Sequence, residues 1–266
     1  MVEPITLGVG AVGAYLGKDG LEKLLGPTAE YLGSGLKDFT KKRVENIRKI
    51  FENAHLKLGN KIESHGQIPP KVLKVILDEG SFANDNLTLE YMGGILASSR
   101  SEDGRDDRGA RISKDVNTLS TYQLRAHYLI YSTVKNIFKD SGLSLAMNDR
   151  PKLRIFMPFE SFISAMDFSE SEKKQSAAIL SHIFFGLHAD ALLESEWMYG
   201  KKEDLMRLFP NAQNAGIICQ PSAKGAELFL WAFGHPDKNT DYIFNPEFIS
   251  EVDDLPNYVT GACKTS

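Results

Sequence analysis

The sequence predicts a mainly α-helical protein in three parts: a membrane-active N-terminal helix, a helical middle domain and a small α+β module at the C-terminal end. Three observations carry this. Apolar residues recur at three- and four-residue steps through most of residues 37–138. No strict apolar–polar alternation occurs before residue 150, so no sheet is expected there. After Arg150 short β-like runs are interleaved with capped helical stretches.

Composition sets the outer bounds. At 266 residues the chain can form one large domain or two small ones with a substantial core. Its 42% hydrophobic and 25% charged residues are ordinary for a folded protein. A formal net charge of −4 excludes a general nucleic-acid binder. Cys219 and Cys263 have neither zinc-ligand spacing nor a disulfide framework, which fits a reducing compartment for the bulk of the chain.

Residues 1–36 form the first predicted unit. Residues 4–17, PITLGVGAVGAYLG, carry no charge and are rich in glycine. Each glycine costs a water-soluble helix roughly 1 kcal/mol against alanine, whereas membrane helices use small residues for close backbone approach. Gly13 and Gly17 form a GxxxG step, and Gly10 with Ala14 a second small-residue step. Fourteen residues span only about 21 Å as a helix, short of a hydrocarbon core of about 30 Å. Extension to Leu25 takes in Lys18, Asp19, Glu22 and Lys23, which share one half of the helical circumference. An oligomer could turn Lys18 and Glu22 toward a water-filled centre and the apolar half toward lipid. The same amphipathic pattern also fits a helix lying on the membrane interface, or a surface-docked leader. A secretory signal is not expected, since no basic region precedes the run.

Residues 37–146 form the predicted helical cytosolic domain. Between Lys37 and Lys61 there are eight basic residues against three acidic ones, as expected on the cytoplasmic flank of a membrane helix or against anionic headgroups. Within this stretch Phe39, Val44, Ile47, Phe51, Ala54 and Leu58 mark one amphipathic helix. Pro69-Pro70 opens the next helix, with proline suited to a first turn. Asn84 or Asp85 caps a third, over NLTLEYMGGILASS. A polar stretch at 100–111 reads as a loop, and Ser120 or Thr121 caps a long apolar-periodic helix that ends near Phe138.

Residues 147–266 form the predicted α+β module, similar to a winged helix, after a linker near 142–151. KLRIFMPFESFISAM mixes a short strand with a short helix. Acidic residues in SESEKK suit the start of the next helix. Gly216-Ile217-Ile218-Cys219 reads as a strand, Pro221-Ser222 as a cap, and the helix after it ends at Gly234.

These segments, taken in order, carry a resemblance. LGPTAEYLGSGLKDFTKKRVENIRKIFENAHLKL, IPPKVLKVILDEGS, NLTLEYMGGILASS, LSTYQLRAHYLIY and PSAKGAELFLWAFG resemble the Abi-alpha (abortive infection alpha) family across most of residues 20–235. Members of that family are associated with bacterial anti-phage defence and read as membrane effectors, some beside nucleotidyltransferase-like partners. The resemblance implies a defence effector and supplies no ligand-binding residues.

No catalytic motif is present: there is no GxSxG, no phosphate loop and no cysteine nucleophile with a partner. His182, His188 and Asp190 lack the spacing that places two imidazoles on one metal, so no metal site and no cofactor are expected. Glu194 and Glu196 flank no recognisable cleft. Arg100, Arg105, Arg108 and Arg111 could converge on a phosphate-bearing ligand, but Glu102, Asp103, Asp106 and Asp107 could equally pair with them. The expected function is a non-enzymatic anti-phage effector that homo-oligomerises and forms a pore or ion channel in the bacterial inner membrane, or waits in the cytosol until triggered. Membrane lipid and a nucleotide or oligonucleotide, made by a nucleotidyltransferase-like partner, are its expected contacts. The alternative is a soluble regulatory or interaction protein of a defence system.

Overall fold

The computed structural model describes residues 36–265, with side chains from residue 41 onward. Gly10, Gly13, Ala14, Gly17, Lys18 and Glu22 lie outside the described residues, as does the Phe39 side chain. The described chain is mainly helical, with one small four-stranded antiparallel sheet.

Helix α1 spans Leu36–Leu58. A 3-10 turn at Gly59–Glu63 leads to α2, Pro70–Glu79, with Pro70 in its first turn. Helix α3, Asn86–Ser98, is capped by Asp85, whose carboxylate accepts the Thr88 N–H at 2.9 Å. Helix α4 runs Arg108–Thr118. Helix α5, Thr121–Phe138, begins with a reciprocal capping box between Ser120 and Gln123.

Helix α3 is the centre of this half. Neighbouring helical residues point about 100° apart, so Gly93 and Gly94 meet different partners. A Cβ on Gly93 would sit 2.9 Å from the Ile50 carbonyl oxygen of α1, and one on Gly94 only 1.6 Å from the Ala232 carbonyl oxygen. The glycine pair lets α3 lie in backbone contact between two helices. Asn46 locks α1 further, its amide donating to the Ser81 and Ala83 carbonyls at 2.8 Å each.

The remainder runs β1 Ile155–Pro158, α6 Phe159–Met166, α7 Glu170–Lys174, α8 Ser176–Ala189, β2 Met198–Gly200, α9 Lys202–Leu205, β3 Gly216–Cys219, α10 Ala223–Ala232 and β4 Cys263–Lys264. The sheet order is β2-β3-β1-β4, with Ile155 opposite Cys219 and Pro158 opposite Gly216. Period-two alternation sorts its side chains. Ile155, Met157, Ile217 and Cys219 join the main core, while Phe156 and Ile218 face a second cluster with Leu205, Phe209 and Ala212. Ser222 caps α10 by accepting the Gly225 N–H at 3.0 Å.

One buried cluster extends from Ile50 to Val259, across the sequence boundary at 146/147. Helix α10 packs on α3 and α5, which joins the two parts. Among the described residues no helix is long and apolar enough to cross a membrane.

Candidate functional site

The four arginines singled out in the sequence do not converge on one point. Only Arg100 and Arg105 lie in the polar connection; Arg108 and Arg111 are already on α4, because the helix begins at Arg108. The sequence reading of 100–111 as one loop is therefore corrected: α4 begins at Arg108 and buries Gly109, Ala110, Ser113 and Val116. Arg100 donates to the Lys61 carbonyl at 2.9 Å and to the Ser64 carbonyl, tying down the turn after α1. The Arg105 side chain is exposed, and its backbone N–H bonds the Asp103 carboxylate at 3.1 Å.

Arg108 and Arg111 share a groove of about 310 Å³ with Lys224 of α10. Carboxylates already face these cations. Arg108 forms a two-pronged pair with Asp106, at 2.9 and 2.6 Å, and lies 5.1 Å from the Trp231 ring centroid. This hydrogen bond holds the Asp106 carboxyl below the ordinary range and raises the Arg108 guanidinium. Asp115 meets Arg111 at 3.1 Å and Lys224 at 3.5 Å. A phosphate entering here would have to displace these carboxylates from the cations.

The remaining polar candidates serve the fold. Glu194 pairs with Arg150 at 2.8 Å and Glu196 with Arg154 at 2.6 Å, so each carboxylate ties the approach to β2 to the approach to β1. His182 Nε2 lies 2.9 Å from the Ser120 hydroxyl, at the start of α5. Among the described residues no group of three metal-ligating side chains comes together. Burial pushes the Cys219 thiol up and leaves it unreactive.

His127 is a fully buried titratable group that the sequence reading did not single out. His127 Nε2 donates to the Gly225 carbonyl at 3.1 Å, so Nδ1 is left to accept the Tyr91 hydroxyl at 3.0 Å. Complete burial lowers its pKa to about 4. Tyr131, 4.6 Å away between ring centroids, donates to the Leu192 carbonyl at 2.7 Å and accepts the Ser222 N–H at 2.9 Å. Every polar atom of this pair has a partner, which makes it a structural joint between α3, α5 and α10, closed to any substrate.

The feature that packing within the fold does not account for is the outer face of α1. Its covered face is Asn46, Ile50 and Ala54. The predicted single stripe is thus corrected: Ala54 is buried, but Val44 is 59% exposed and Phe51 43% exposed. Val44 and Phe51 thus lie outside the face that packs closely on α3. Next to Phe51 lies an open groove of about 800 Å³ bordered by Leu56, Leu58, Ile62, Ile68 and Leu96, with Arg48, Glu52 and Arg100 on its rim. Seven-residue spacing of Val44, Phe51 and Leu58 was the available sequence signal.

Compared with known protein-family models, curated proteins and solved structures, the chain matches none of them.

Proposed function

We propose that this protein is a non-enzymatic, self-associating effector of bacterial anti-phage defence that acts at a membrane. The observation that carries the reading is α1. It is a basic helix that follows the glycine-rich apolar run of residues 4–17 and keeps a second apolar line, Val44 and Phe51, turned outward. In this reading residues 1–36 from several copies form a membrane-active helix, with Gly10, Gly13, Ala14 and Gly17 at helix contacts and Lys18 and Glu22 toward an aqueous centre. The folded body, residues 36–265, assembles the copies and holds the N-terminal segments together. Its C-terminal module, likened in sequence to a winged helix, receives the control signal. A nucleotide or oligonucleotide trigger would meet Arg108, Arg111 and Lys224, where a phosphate would replace Asp106 and Asp115 as the partner of three cations. Arg108→Glu with Arg111→Glu would then abolish binding of such a ligand in calorimetry without changing assembly.

Deletion of residues 1–25 tests the central point. Full-length protein in liposomes should release trapped ions and the truncated protein should not, while the truncated protein keeps the circular dichroism of the folded body. Cells expressing the truncation should survive. Growth arrest by the truncated protein would place toxicity in residues 26–266 and sink the pore. The second reading is then a soluble interaction protein of a defence system.

A further inference from the structure

The geometry points to a binding site for a small sugar phosphate in the pocket where α1, α3 and α10 end. The site is separate from the α4–α10 groove and does not depend on the effector reading. Its cavity of about 400 Å³ is within the range of small-molecule sites. Three segments wall it: the turn after α1 with Lys61 and His65, the chain leaving α3 with Arg100 and Glu102, and the turn after α10. Gly234 closes the third side. Its φ of +85° favours glycine, and a Cβ there would lie 3.5 Å from the Lys57 Cβ.

The pocket differs from the groove in what its cations bond. In the groove Arg108, Arg111 and Lys224 all face carboxylates. Here Arg100 bonds neutral oxygens, the Lys61 and Ser64 carbonyls foremost. Lys61 joins no ion pair among the described residues. Lys57 is already matched by Glu90 at 2.6 Å. Two cations, Lys61 and Arg100, thus stand against one lining carboxylate, Glu102. Helix ends carry partial negative charge, but the carbonyls here are engaged. The His235 and Gly234 N–H groups take the Leu230 and Trp231 carbonyls at 3.0 and 3.3 Å, and Arg100 takes those after α1. His235 reports the same positive sign: burial lowers its pKa first, Asp237 opposes, and Lys61 and Lys238 lower it further. An anion is the partner that Lys61 and His65 lack, and phosphate accepts charge-assisted hydrogen bonds from both residue types.

Glu102 selects among anions. Its exposed carboxylate repels bare phosphate and accepts hydrogen bonds from hydroxyl groups. A sugar phosphate brings both parts, phosphate for Lys61 and His65 and hydroxyls for Glu102.

Calorimetry of the full-length protein in mild detergent, with ribose 5-phosphate and glucose 6-phosphate as probes, tests the site. At least one of them should bind with a Kd between about 10 μM and about 1 mM, more tightly than inorganic phosphate, and ribose and glucose should give no heat. Lys61→Glu should weaken binding by about tenfold or more, and His65→Ala by less. Both side chains are exposed, so circular dichroism should stay unchanged. Lys74→Glu, on exposed α2, controls for net charge and should bind as wild type does. Glu102→Gln should narrow the preference for the sugar phosphate over inorganic phosphate. Arg108→Glu with Arg111→Glu should leave the affinity unchanged. No heat from either probe up to about 10 mM, inorganic phosphate binding as tightly as both, or a Lys61→Glu protein that binds as wild type does overturns the proposal. Binding lost only in the Arg108 and Arg111 variant overturns it too, and assigns the ligand to the groove. The effector reading fails separately: no liposome leakage together with Lys61-dependent binding discards the pore and keeps this site.

Discussion

Helix α5 is enclosed on almost every side. From Gln123 to Val134 only Arg125 escapes full burial, and its neighbours come from α3, α8 and α10. Helix α1 is longer, yet of its described side chains only Asn46, Ile50 and Ala54 are buried. Both show the same apolar periodicity in sequence. The difference teaches that periodicity reports how many faces a helix has to cover, and leaves open what covers them. Helix α5 finds its partners within the chain. Helix α1 finds α3 on one side, through the Gly93 contact, and leaves Val44 and Phe51 exposed on the other.

The largest effect should come from truncating the enclosed helix. Phe138 is 2% exposed and meets Phe244 edge to face at 6.4 Å between centroids. Phe138→Ala should therefore cost about 3–5 kcal/mol, a cavity that neighbouring backbone cannot close. Urea unfolding of the 1–25 deletion, which carries the described body, reads this directly. A loss under about 1 kcal/mol would mean that the enclosure of α5 is looser than its burial indicates.

Acid should also act through α5. His127 has a folded pKa of about 4, below the ordinary 6.5, so the unfolded chain binds a proton that the folded chain resists. The stabilisation is complete above pH 6.5 and is lost as pH falls toward 4, with a total on the order of 3 kcal/mol. His127→Gln, which keeps one donor and one acceptor, should flatten that part of the stability–pH curve. An unchanged curve would assign acid sensitivity to other groups. Half-buried His235 is shifted in the same direction and would contribute there.

A smaller effect belongs to the cap of α10. Ser222 holds the first turn through the Gly225 N–H, and its hydroxyl donates to the Ala191 carbonyl at 2.7 Å. Ser222→Ala should cost about 1–2 kcal/mol. Ser222→Thr, which keeps the oxygen, should recover part of the loss, and failure to recover any would point to crowding around Tyr131 instead of capping.

The fold was legible where local chemistry decides it. Asn84 or Asp85, Ser120 or Thr121, and Ser222 mark helix starts, of which Asp85, Ser120 and Ser222 make the cap bonds, and the β-like run Gly216-Ile217-Ile218-Cys219 is a strand, because capping and strand propensity act within a few residues. The start of α4 was hidden, since Asp107 offers no side-chain cap bond and the charges of residues 102–108 resemble a loop. The candidate site was half legible. Spacing marked Val44, Phe51 and Leu58 as apolar in phase, but only packing distinguishes a covered line from an uncovered one. Likewise, four arginines in sequence suggested convergence, whereas helix phase sent Arg108 and Arg111 to the α10 groove and Arg100 to the carbonyls after α1.

The smallest effect on folding is the sharpest test of the comparison. Phe51→Ser removes a large apolar side chain at a position as periodic as any on α5. Were Phe51 part of the core, the loss would approach the 3–5 kcal/mol expected of buried phenylalanine. Because it is 43% exposed in the single copy, the loss in the monomer should stay below about 1 kcal/mol. Measurement at low protein concentration isolates that monomer value. If the proposed self-association runs through this face, the gap between wild type and Phe51→Ser should widen with concentration. A gap that is large and independent of concentration would show that the groove beside Phe51 is filled from within the same chain, and the contrast between α1 and α5 would disappear.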